Sequence, residues 1–160
     1  MNVSPLARSK RPQQIPKERQ GHIEIVRALI QAKADLDLAE EDGWTALMFA
    51  AQNGHIEVVR ALIDAKAAVD HADNEGWTAI MWAAQDGHIE VVRALLQADA
   101  DVNHVANSGF TALSLAKQNK HSEIVALLNE RIAQLKEEAA AAGSKGKGKS
   151  KGKGKHGRGG

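Results

Sequence analysis

The sequence predicts an all-α repeat solenoid: stacked helix-turn-helix units joined by β-hairpin-like finger loops, followed by a disordered basic tail. Three observations carry this reading. Gly21-His22, Gly54-His55 and Gly87-His88 recur at a step of 33 residues, and Lys120-His121 continues the register. A second marker keeps the same step: Gly43-Trp44-Thr45-Ala46, Gly76-Trp77-Thr78-Ala79 and Gly109-Phe110-Thr111-Ala112. Aligned by position, 43–75 and 76–108 share 22 of 33 residues. A period of this length marks units that bury a common core only by stacking on one another.

Residues 1–20 read as an irregular or disordered basic segment. They hold all three prolines, Pro5, Pro12 and Pro16, and five basic groups against Glu18. In register, Pro12 to Gln20 would be the first helix of the first unit. Pro16 interrupts it, and Ile15 is its single apolar residue. The folded domain therefore spans 21–142: a partial unit at 21–42, full units at 43–75 and 76–108, and a last unit at 109–142. The apolar face of the partial unit, Ile23, Val26, Leu29 and Ile30, lacks its partner helix. Either an irregular cap covers it or further units precede it. The second reading is favoured, because an uncovered core is an association liability.

Within a full unit, Thr45 can cap a first helix over Ala46 to Asn53 by accepting from otherwise unpaired N–H groups. Gly54 suits the left-handed residue that ends it. A second helix runs from Ile56 to Ala65, with Ile56, Val59, Leu62 and Ile63 on one face. Glu57 sits in its first turn, with Arg60 three residues on; Glu24/Arg27 and Glu90/Arg93 repeat the pair. The polar stretch Asp70 to Glu75 is rich in turn formers and too short for another helix. In the last unit the second helix continues from Ser122 through Glu130, Arg131 and Lys136 into Ala139–Ala142, a polar extension suited to capping the stack.

Residues 143–160 contain only Gly, Lys, Ser, one His and one Arg. With nothing apolar to bury, such a segment cannot offset the entropy cost of ordering. The formal net charge of +1 conceals three regions. The leading segment carries +4 and the tail +7, while the middle holds nine Lys/Arg against nineteen Asp/Glu. There is no cysteine, which removes disulfides, thiolate metal sites and cysteine nucleophiles together. No apolar run is long enough for a membrane span. The basic leading segment also lacks the apolar stretch of a secretory signal. An intracellular protein, cytoplasmic or nuclear, is expected.

The marker segments resemble the ankyrin-repeat family over about Gly21 to Leu128. Its Thr-Pro-Leu-His-x-Ala signature appears as Thr45-Ala46-Leu47-Met48-Phe49-Ala50, Thr78-Ala79-Ile80-Met81-Trp82-Ala83 and Thr111-Ala112-Leu113-Ser114-Leu115-Ala116. The Gly-His-Ile-Glu-Val-Val-Arg-Ala-Leu runs at 54–62 and 87–95 are similar to the family's second helix, and Ala-Asp-Val-Asn at 100–103 to its closing segment. Three departures stand out. Alanine replaces the signature proline at Ala46, Ala79 and Ala112. Met48, Met81 and Ser114 replace the histidine, leaving the family's loop-bridging hydrogen bond without its usual donor. Lys33, Lys66 and Asp99 replace the glycine after the second helix. A non-glycine in the left-handed region costs on the order of 1 kcal/mol, so a modestly stable array is expected.

The resemblance implies a non-enzymatic protein–protein interaction scaffold whose partner lies on the concave face of fingers and first helices. It places Trp44, Trp77 and Phe110, and Phe49, Trp82 and Leu115, on that face, in two rows. Aromatic hot-spot side chains suit binding; packing between neighbouring units is the competing reading of the same residues. Asp37, Glu40, Glu41, Asp42, Asp70, Asp73 and Glu75 add acidity that would steer a basic partner, or simply face solvent. The expected partner-contact residues are Trp44, Phe49, Trp77, Trp82, Phe110, Asp42 and Glu75. His22, His55, His88 and His121 recur once per unit and read as structural; copies in successive units stand too far apart to share a zinc ion. No nucleophile motif occurs, so no enzyme activity, cofactor or metal is expected. The alternative function lies in the tail, where Lys145, Lys147, Lys149, Lys151, Lys153 and Lys155 could contact nucleic acid or an anionic surface without sequence readout. Docking of the tail onto the acidic body and plain solubilisation are the other readings. A monomer is expected, with association through the uncovered first unit open.

Overall fold

The computed structural model describes residues 17–159, with side chains from His22 to Ala142. The expectations for residues 1–16 and for the side chains of the tail lysines lie outside the described residues. The backbone of 143–159, expected from its composition to be disordered, is instead helical and continues the helix that starts at Ser122, since a helix once nucleated extends one residue at a time. Among the described residues seven helices follow one another: α1 (Lys17–Gln31), α2 (Ala46–Asn53), α3 (Ile56–Asp64), α4 (Ala79–Asp86), α5 (Ile89–Gln97), α6 (Ala112–Gln118) and α7 (Ser122–Gly159). Among the described residues there is no strand. Helices α2, α4 and α6 stack as an inner row, α3, α5 and α7 pack against it as an outer row, and α1 extends the outer row by packing on α3. The fingers project between α1 and α2, α3 and α4, and α5 and α6.

Local chemistry sets the helix boundaries. Thr45, Thr78 and Thr111 are extended residues at the head of the three inner helices. The Thr45 hydroxyl accepts from the Met48 N–H at 3.4 Å. Thr111 and Ser114 cap each other reciprocally, the Ser114 hydroxyl accepting from the Thr111 N–H at 2.9 Å and Thr111 accepting from the Ser114 N–H at 3.1 Å. This is the capping box; it uses the very serine that replaces the family's histidine.

Gly54 and Gly87 end α2 and α4 with φ of 73° and 81°. Their lack of a side chain has a second cause. A Cβ on Gly54 would stand 2.6 Å from Nδ1 of His88, and one on Gly87 would stand 2.7 Å from Cε1 of His121. Each histidine ring thus lies over the glycine of the preceding unit. His88 Nε2 bonds the Gln52 carbonyl at 2.8 Å, and His121 Nε2 bonds the Gln85 carbonyl at 2.9 Å. A carbonyl only accepts, so Nε2 carries the proton in both.

The outer helices end on a residue the sequence marked as costly. Lys33, Lys66 and Asp99 have φ of 60°, 72° and 62°, and Lys120 has 62°. All four hold the left-handed conformation without the glycine that suits it.

The first unit differs from the others. Lys17–Gln20, assigned from sequence to the irregular leading segment, are helical, and Gly21 lies inside α1 rather than at a break. The physical reason is that Lys, Glu, Arg and Gln are good helix formers. The uncovered face also differs in detail from the expected one. Ile23 is buried and Val26 packs against the core, whereas Ile25 and Leu29 are exposed. Val26 and Ile23 turn towards the stack, and Leu29 faces the place an inner helix fills in later units. The same repeat position is 51% exposed at Leu29, 2% at Leu62 and 0% at Leu95. At the other end Ile124 and Leu128 of α7 are fully buried, and Arg131 bonds Asp99 at 2.9 Å.

Leu62→Ala is expected to cost about 3 kcal/mol and Leu29→Ala less than about 1 kcal/mol in urea unfolding, since only the former opens a cavity. Lys66→Gly should raise stability by about 0.5–1 kcal/mol in the same measurement, by relieving the left-handed side chain.

Candidate functional site: the finger and inner-helix face

Each finger is closed at its tip by one backbone bond to the residue that precedes the capping threonine. Glu40 N–H donates to the Trp44 carbonyl at 3.0 Å, Asp73 N–H to Trp77 at 2.9 Å and Ala106 N–H to Phe110 at 2.9 Å. The tight return needs the positive φ of Gly43, Gly76 and Gly109. Successive fingers are joined by asparagines. Asn74 donates from its backbone to the Asp42 carbonyl at 3.0 Å and from its side chain to the Glu41 carbonyl at 2.8 Å. Asn107 does the same to Glu75 at 3.0 Å and Asn74 at 3.1 Å. Lower down, Asp37 accepts from the Ala68 N–H at 2.7 Å and Asp70 from the Asp101 N–H at 2.8 Å. These two carboxylates, counted from sequence among the steering acids, are committed to holding finger to finger.

This bracing brings all five aromatic rings into one chain of contacts. Phe49 meets Trp44 at a centroid distance of 4.8 Å, Trp44 meets Trp82 at 4.5 Å, Trp82 meets Trp77 at 4.4 Å and Trp77 meets Phe110 at 6.3 Å. The two rows expected from sequence are therefore a single zigzag, because a finger ring touches helix rings of its own unit and of the next. Trp44, Trp77, Trp82 and Phe110 are half-buried, and Phe49, at one end with a single ring neighbour, is exposed. Leu115, the counterpart of Phe49 and Trp82 in the last unit, is buried.

Asp73 does something the sequence reading missed. It is buried, and its Oδ1 accepts from the Glu75 and Trp77 N–H groups, each at 2.9 Å. Its Oδ2 accepts from the Trp82 indole N–H at 3.3 Å. The signal was present in the repeat. Trp82 is the residue at its repeat position with a side-chain N–H, against Phe49 and Leu115. Asp73 is the finger-corner residue just before the unit of Trp82, where the other fingers have Glu40 and Ala106. Glu40, Glu41, Asp42 and Glu75 are exposed, and their carboxylates engage no partner among the described residues. Asp42 and Glu75 thus stand on neighbouring fingers with exposed side chains. His104 Nε2 bonds the Gly76 carbonyl at 2.9 Å, giving this finger histidine a structural role.

Asp73→Asn keeps the two backbone bonds but turns an amide N–H₂ towards the Trp82 indole N–H. Two donors then meet at a half-buried site, and a loss of about 1–3 kcal/mol is expected by denaturant unfolding. Indole fluorescence should report the transition.

A family model for ankyrin repeats (3 copies) matches residues 18–106 and 70–139. No curated protein matches the chain. Among the described residues, no helix is long and apolar enough to cross a membrane. The 33-residue step, the paired inner and outer helices, the braced fingers and this match together establish that the chain belongs to the ankyrin-repeat family.

Proposed function

We propose that the protein is a non-enzymatic scaffold that holds another protein on the face formed by the fingers and the inner helices. Ankyrin repeats are generally protein–protein interaction modules, which gives the coarse assignment. The observation that carries it to this face is the aromatic chain from Phe49 to Phe110, kept partly open to solvent rather than sealed in the core. Trp44, Phe49, Trp77, Trp82 and Phe110 supply rigid contact area at low entropy cost, and Asp42 and Glu75 supply charge at the rim. His88, His104 and His121 support no catalytic reading, since each spends a ring nitrogen on a backbone carbonyl, His88 and His121 on the preceding unit and His104 on Gly76 of its own. The exposed Ile25 and Leu29 are the surface through which two copies would associate.

The rings also pack against one another, so a loss of binding must be separated from a loss of fold. Phe49→Ala, at the exposed end, should abolish partner retention on an immobilised full-length chain while moving the unfolding midpoint little. Trp77→Ala should reduce both. Retention of every partner by both variants would remove this face from consideration.

A further inference from the structure

The geometry points to a basic, arginine-bearing extended peptide segment as the partner of this face, seated at the Phe49 end of the aromatic chain. The inference rests on the scaffold reading above and specifies the chemistry of what that scaffold holds.

Two independent gradients run along the face and reach their maximum at the same end. The first is apolar exposure. Phe49 is 40% exposed and has one ring neighbour, whereas Leu115 at the equivalent position of the last unit is buried. Leu38, on the first finger, is 73% exposed. The second gradient is charge. The first finger with its inner helix, 34–53, carries Asp35, Asp37, Glu40, Glu41 and Asp42 and no Lys or Arg. The second, 67–86, carries Asp70, Asp73, Glu75 and Asp86 and again no Lys or Arg. The third, 100–119, has Asp101 balanced by Lys117, and Asn107 and Ser108 occupy its tip. Between Gly21 and Gln97 every Lys and Arg sits on an outer helix or on the turn that ends it. The face therefore presents uncompensated carboxylates beside an open ring.

Arginine fits this combination better than lysine. The outward face of Phe49 can take a planar guanidinium in stacking contact, while Glu41 and Asp42 offer carboxylates for its forked donors. The faces of Trp44 and Trp82 are each occupied by ring neighbours on two sides, so they make a stack and not an open cage for a compact ammonium. Lysine would gain the long-range attraction but not the stacking. The chain's own Lys145–Lys155 run has the charge without the planar group, so a preference for arginine would distinguish an outside segment from it.

The test titrates the full-length chain with two labelled peptides of equal length and charge, one alternating glycine with arginine and one alternating glycine with lysine, read by fluorescence anisotropy. The arginine peptide should bind about tenfold more tightly, and its affinity should fall as salt is raised. Phe49→Ala and the bulk-preserving Phe49→Leu should both remove most of that preference. Glu41→Gln combined with Asp42→Asn should weaken both peptides. Equal affinity for the two peptides, a preference untouched at Phe49, or no binding of either overturns the inference. If no peptide binds but partner retention on the immobilised chain still depends on Phe49, the basic-segment inference falls and the scaffold reading stands. If retention is also indifferent to Phe49, both fall.

Discussion

The joint between successive units is a histidine ring laid over a glycine, and the rest of the molecule depends on it. His88 occupies the space a Cβ on Gly54 would need, and His121 does the same at Gly87. Each ring then bonds a carbonyl in the last turn of the inner helix before it. Those carbonyls are among the ones a helix end leaves without an internal partner, so one contact closes a helix and fixes the next unit upon it. Neither half works alone. A side chain at the glycine would expel the ring, and loss of the ring would leave the glycine as a mere helix stop.

A fixed step between units has consequences at the far side of the stack. Side chains at equivalent positions fall on one face, and the asparagine bonds between fingers hold that face in register at its rim. The aromatic zigzag follows from this regularity, since rings 33 residues apart or nearly so can touch only when the units are closely stacked. Inter-unit packing consequently engages the same rings as the proposed binding face. The packing reading of the aromatics is seen in these ring contacts, and Phe49 is where packing and the proposed binding role can be told apart, because it is the exposed ring at the end of the chain.

The two ends of the array are chemically unlike. At the C-terminal end α7 buries Ile124 and Leu128 and brings Arg131 onto Asp99. At the other end α1 presents Ile25 and Leu29 to solvent, in positions that later units fill with an inner helix. Acidity follows the same direction, dense on the first finger and neutral at the tip of the third. A repeat sequence with 22 of 33 residues shared between units thus encodes its asymmetry in the minority of positions that vary.

Much of the architecture was legible in the sequence. The period, the inner helix over Ala46–Asn53, the left-handed Gly54 and the strained Lys33, Lys66 and Asp99 all follow from local rules about caps and φ. These are properties of a few neighbouring residues, which is why one chain of letters suffices. What only the tertiary structure decided are contacts across the boundary between one unit and the next. The merging of two aromatic rows into one, the capture of Trp82 by a buried Asp73, and the use of Asp37 and Asp70 as struts rather than free charges are of this kind. So is the direction α1 turns its stripe, exposing Ile25 with Leu29 in place of Ile23 and Val26. Periodicity states which positions share a face. How far each ring, carboxylate or leucine is covered depends on the neighbour that stacking delivers, and no single unit contains that neighbour.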